Sequence, residues 1–152
     1  MKKLLVIFVL GLLLSGNVYA EIINLACKSS DFKNPLNIIL DTKNETASYQ
    51  GSNPDPYHLE NGIFRFVMQD KDMKYRYAYS LNRNTGVLAI KGYQFSEEQM
   101  QTIYAEVALK MISDGKTTDD KSYLVKLIID RYNEGQPLET FYLDCEKIKK
   151  KF

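Results

Sequence analysis

The residues of this chain that could do chemistry are few, and their types limit what that chemistry can be. His58 is the only histidine. No histidine cluster is therefore available to hold zinc or iron, and no Ser-His-Asp or Cys-His order stands out as a motif. Within Pro56-Tyr57-His58-Leu59-Glu60 a lone imidazole reads as a loop or surface residue. A general base needs a positioned proton and a partner to orient it. Paired carboxylates occur at Glu97-Glu98 and Asp119-Asp120. Both pairs fall at predicted helix starts, where acidic side chains stabilise the partial positive charge of the helix end. No catalytic residue, metal site or cofactor is expected. The two cysteines, Cys27 and Cys145, allow a single intramolecular pairing. In an oxidising compartment that pairing is a disulfide, and bridged sulfurs are not metal ligands.

Two further groups are aromatic and basic. Phe64 and Phe66 alternate along one predicted strand, and Tyr75, Tyr77 and Tyr79 along the next. Alternation puts each set on one face of its strand, and the two sets face the same way if the strands pair. Such a face is either core packed under other elements or an amphipathic pocket able to hold a ligand or stack a sugar. The opposite face carries Arg65, Lys74 and Arg76, with Arg83 in the adjoining turn. That set is either a solvated face or a patch for an acidic protein partner.

The elements that position these residues begin with an export segment. Lys2 and Lys3 precede the apolar stretch Leu4 to Leu14, and Val18-Tyr19-Ala20 offers small residues to a signal peptidase. The pattern predicts a signal peptide over residues 1–20 and a single exported domain over 21–152. The apolar stretch is shorter than the roughly 18 residues a membrane span requires. A periplasmic or secreted location follows, with no membrane span after cleavage. Removing Lys2 and Lys3 turns the formal net charge of +1 into −1. A nearly neutral domain lacks the basic face of a nucleic-acid binder.

Strands are predicted over Glu21–Lys28, Leu36–Leu40, Thr46–Gln50, Ile63–Gln69, Lys74–Leu81, Val87–Ile90 and Glu139–Lys147, from period-2 patterning and turn residues between them. Gly51–Pro56 is expected to be irregular, because glycine and two prolines interrupt it. The period then changes. Ser96 and Gln99 have capping-box spacing, followed by Met100, Ile103, Tyr104, Val107, Ala108, Met111 and Ile112 on a predicted helix. A second helix is predicted over Asp119–Asn133, stopped by Gly135 and Pro137. The fold class is α+β. It consists of an antiparallel, curled or barrel-like sheet of about six to seven strands, with two amphipathic helices inserted before the last strand. A Cys27–Cys145 bridge makes the first and last strands neighbours, which is why the sheet is expected to curl.

The segment Tyr79-Ser80-Leu81-Asn82-Arg83-Asn84-Thr85-Gly86-Val87-Leu88, followed by a late strand bearing Cys145, resembles small exported bacterial proteins of unknown function. Those share a Tyr-x-(hydrophobic)-(Asn/Asp)-Arg-x-Thr-Gly hairpin and a C-terminal cysteine strand. The resemblance spans Ile63–Leu88 and the last strand, and implies a hairpin without implying an activity. The general plan is also similar to the disulfide-closed barrels of periplasmic lysozyme inhibitors, although no inhibitory motif is present. The expectation for function is a non-enzymatic binding protein whose partner is an envelope protein or a small amphipathic molecule. The alternative is a hydrolase of glycan or cell-wall material, with Glu60, Asp70 and Asp72 as the acidic residues nearest the aromatic strands.

Overall fold

The computed structural model describes residues 21–50, 52–69 and 75–148, so the expected signal peptide lies outside the described residues. Eleven elements follow in order among them: β1 (Ile22–Lys28), β2 (Leu36–Asp41), β3 (Thr46–Tyr49), β4 (Asp55–Pro56), β5 (His58–Glu60), β6 (Ile63–Gln69), β7 (Tyr75–Asn82), β8 (Val87–Gln94), α1 (Glu97–Ser113), α2 (Lys121–Glu134) and β9 (Glu139–Lys147). Every strand pairs antiparallel with its neighbours, in the order β4-β3-β2-β1-β9-β8-β7-β6-β5.

The sheet curls until its two ends nearly meet, and one segment joins them. Asp55 and Pro56 pair with Ala47 and Thr46 of β3, and the Tyr57 amide donates to the Glu45 carbonyl at 3.0 Å. The next three residues change partner, and His58, Leu59 and Glu60 pair with Arg65, Phe64 and Ile63 of β6. Asp55–Glu60 thus serves β3 with its first half and β6 with its second, giving a nearly closed barrel of nine strands rather than six or seven. The two additional strands are the short ones, β4 and β5. Pro56 has no N–H to signal a ladder position, and three residues are too few for a visible period.

On the other side of the barrel β1 pairs with β9, and Cys27 lies directly opposite Cys145. The two form a disulfide, with their Cα atoms 3.9 Å apart. Inward residues of all the long strands fill the barrel, among them Cys27, Ile38, Leu40, Phe66, Leu88 and Leu143.

A second core lies outside the barrel, between the strands and the helices. It joins Ala78 and Tyr93 of the sheet to Val107 and Met111 of α1 and Ile129 and Tyr132 of α2. Helix α1 starts as its spacing predicts. The Ser96 hydroxyl accepts from the Gln99 amide at 3.2 Å, and the Gln99 side chain accepts from the Ser96 amide at 2.8 Å. Met100, Ile103, Val107 and Met111 face inward, whereas Tyr104, Ala108 and Ile112 are exposed. Spacings of three and four fit two adjacent stripes of a helix, and only one of them packs into the second core against α2. Helix α2 crosses the outer face of the barrel. Its first turn meets β5 through Ser122 and His58. Near its end Asn133 Oδ1 accepts from the Tyr93 hydroxyl at 2.9 Å and the Lys91 ammonium at 3.0 Å.

Candidate functional site

The helices cover the face opposite to the aromatic one. Phe66 lies across from Tyr79, Phe64 from Leu81 and Met68 from Tyr77, so these side chains share a face, and that face is the barrel interior. Phe66 and Tyr79 stack with ring centroids 5.0 Å apart and planes at 10°. Burial pushes the Tyr79 hydroxyl well above the ordinary phenol range, and the neighbouring Tyr49 and Tyr77 add to the shift. Tyr75 and Tyr77, with centroids 6.4 Å apart, continue the row to a half-buried end. Of the five aromatic residues expected to form a ligand face, Phe64 lines the cavity at the barrel end described below.

The three basic residues of this set that lie among the described residues have different surroundings. Arg76 is buried under the helices beside the Tyr132 hydroxyl. Arg65 pairs with Glu60 at 3.2 Å. Lys74 lies outside the described residues, as do Asp70 and Asp72. Arg83 sits at the end of the barrel, away from the helix-covered face. Arg65 and Arg76 alternate with the aromatic side chains along their strands, and the face that carries them is the one α2 packs against.

The barrel end that holds Arg83 is the candidate site. Up-and-down connectivity brings the start of β1, the β2–β3, β5–β6 and β7–β8 turns and the end of β9 to one rim. Inside it lies a cavity of about 730 Å³. Leu25, Leu40, Tyr57, Phe64 and Leu81 form its buried floor, and Ile23 and Leu59 its wall. The rim is charged and polar. The Lys147 ammonium meets the Glu21 carboxylate at 2.9 Å, and the Thr42 hydroxyl accepts from the Glu21 amide at 2.8 Å. Asn82 orders the β7–β8 turn, its side-chain oxygen accepting from the Asn84 and Thr85 amides at 2.9 and 3.2 Å. Gly86 closes this turn at φ +74°, and a Cβ there would lie 3.0 Å from the Cys145 carbonyl oxygen. The strand order places the β2–β3 turn and the β7–β8 turn on opposite sides of the ring. Glu45 and Arg83 therefore face one another across the mouth.

Sequence reasoning singled out Arg83 for a protein-partner patch, and did not find Tyr57, Ile23, Leu40 or the other rim charges, Glu21, Glu45 and Lys147. They come from five separate stretches of chain, and only closure of the barrel makes them neighbours.

His58 and Ser122 border the same cavity. His58 Nδ1 lies 3.1 Å from Ser122 Oγ, while Nε2 is 3.9 Å from Glu60 Oε2. The second distance exceeds a hydrogen bond, so the row lacks the oriented base that activates a serine. What the contact does is hold β5 to α2. Burial, first of all, pushes the imidazole below its ordinary range, against the pull of Glu60. The unfolded chain then takes up this proton at a higher pH than the folded one. The contribution is full above the unfolded value of about 6.5 and is lost as pH falls through the lower folded value. The denaturation midpoint of the wild type is expected to drop between pH 7 and pH 5 more steeply than that of His58→Gln. Parallel curves would rule out this role for His58.

Among the described residues no group of three or more His, Cys, Asp or Glu is placed to hold a metal ion, and no helix is long and apolar enough to cross a membrane. Comparison with family models, curated proteins and solved structures finds no match.

Proposed function

We propose that this is a non-enzymatic binding protein, acting in the periplasm or outside the cell, whose open barrel end takes a small amphipathic molecule. The observation that carries the reading is the cavity of about 730 Å³ with an apolar floor and a charged rim. That size falls within the roughly 300–1,000 Å³ of small-molecule sites, and an apolar surface with a few placed polar groups is their usual lining. Barrels of about eight strands are wide enough to hold one small ligand. The disulfide supports an oxidising location.

The test uses the neutral probe N-phenyl-1-naphthylamine with the mature protein. Saturable fluorescence enhancement is expected. Ile23→Trp, which places an indole in the cavity wall, is expected to weaken the probe by about tenfold or more, equivalent to losing about 1.4 kcal/mol. Unsaturable fluorescence, or an Ile23→Trp variant that binds as well as wild type, would remove the cavity as the site.

A further inference from the structure

Among the polar groups at the barrel end, two cavity-lining donors differ in kind. The first is the Arg83 guanidinium. Its stem lies along the β5–β6 turn, where Gly62 leaves it room: a Cβ on Gly62 would come within 3.3 Å of Arg83 Cγ. The Arg83 amide is tied down as well, donating to the Gly62 carbonyl at 3.0 Å. No described carboxylate forms an ion pair with the guanidinium, whereas Lys147, the other cation on the rim, is engaged by Glu21.

The second is the Tyr57 hydroxyl. The residue is only 4% exposed and its ring packs edge-on against Phe64 at 5.1 Å, yet its hydroxyl has no hydrogen bond among the described residues. The hydroxyl oxygen is reached by solvent and is not sealed in the core, so the hydroxyl is free to donate to a bound acceptor.

The charges around each group decide what it can take. Burial, then the carboxylates of Glu45 and Asp41, hold Tyr57 in its protonated form. It is therefore a donor in a negative field, suited to a neutral acceptor oxygen and unsuited to an anion. Arg83 stands across the mouth from Glu45, so an anion is accommodated on the Arg83 side. Guanidinium offers a carboxylate, sulfonate or phosphate two parallel hydrogen bonds.

Resting on the small-molecule reading above, we propose that the ligand is a monoanionic amphiphile. Arg83 holds its acidic group, the Ile23–Leu40–Phe64–Leu81 surface takes its apolar body, and the Tyr57 hydroxyl donates to a neutral oxygen within it.

A matched pair of probes tests the charge assignment: 11-(dansylamino)undecanoic acid and its methyl ester. They share chain, fluorophore and sulfonyl oxygens and differ only at the carboxyl end, a carboxylate in one and an uncharged methyl ester in the other. The acid is expected to bind about tenfold tighter than the ester, the size of one charge-assisted contact. Arg83→Gln is expected to remove that difference by weakening the acid and leaving the ester unchanged. Arg83 is exposed in a turn, so the variant should fold. Tyr57→Phe is expected to weaken both probes severalfold. Equal affinity of acid and ester in the wild type overturns the anion assignment and leaves the cavity reading standing. Unchanged affinities in Tyr57→Phe overturn the acceptor contact. If neither dansyl probe nor the neutral naphthylamine binds, the cavity reading itself falls.

Discussion

Replacing Cys27 and Cys145 together by alanine is expected to lower the melting temperature by about 10–20 °C under non-reducing conditions. The cysteines are 118 residues apart in sequence. A crosslink that closes so long a loop removes chain entropy from the unfolded state worth roughly 4–5 kcal/mol on the chain-entropy account. For a domain of this size each kcal/mol moves the melting temperature by about 3–4 °C. Truncating Cys27 leaves little void, because a sulfur is lost while the neighbouring side chains stay. Wild-type protein melted in reductant should match the double variant. A melting temperature unmoved by either treatment would show that the bridge does not support the fold.

Phe66→Ala is expected to destabilise the protein by about 3–5 kcal/mol, as truncations of fully buried aromatics do. Phe66 has no exposed surface and stacks on Tyr79 in the middle of the barrel. Against a total stability of about 5–15 kcal/mol the loss is a large fraction. Tyr75→Ala, at the half-buried end of the same row, should cost much less. Denaturant midpoints at constant m-value measure both. Equal effects at the two positions would contradict the burial gradient along the row.

Much of this architecture is readable from local pattern. Tyr75, Tyr77 and Tyr79 alternate, Ser96 and Gln99 cap a helix, and the terminal cysteines make the first and last strands neighbours. Each of these signals lies within a few residues or in one unambiguous pairing. What is not readable depends on contacts between distant segments. Pro54 and Pro56 make Gly51–Pro56 read as irregular, although Asp55–Pro56 pairs with β3, because a proline accepts at a strand position without donating. Ile112 repeats at core spacing yet is 73% exposed, because periodicity fixes a stripe without saying which stripe meets the second core. Arg76 alternates as a solvent-facing residue should, and α2 covers it. The candidate site is the least legible part, since Tyr57, Leu40 and Arg83 meet only at the end of a closed barrel.

The closing segment Asp55–Glu60 carries a consequence for how this protein fails. Its first half caps β3 and its second half caps β6, so a single local opening uncovers two strand edges at once. Unpaired edges are the templates on which chains add to one another. Pro56 interrupts the donor pattern at this place, and the segment is short. Aggregation of a partly opened barrel should therefore start at β3 and β6, and ligands or substitutions that hold Tyr57 in place should protect against it from a distance.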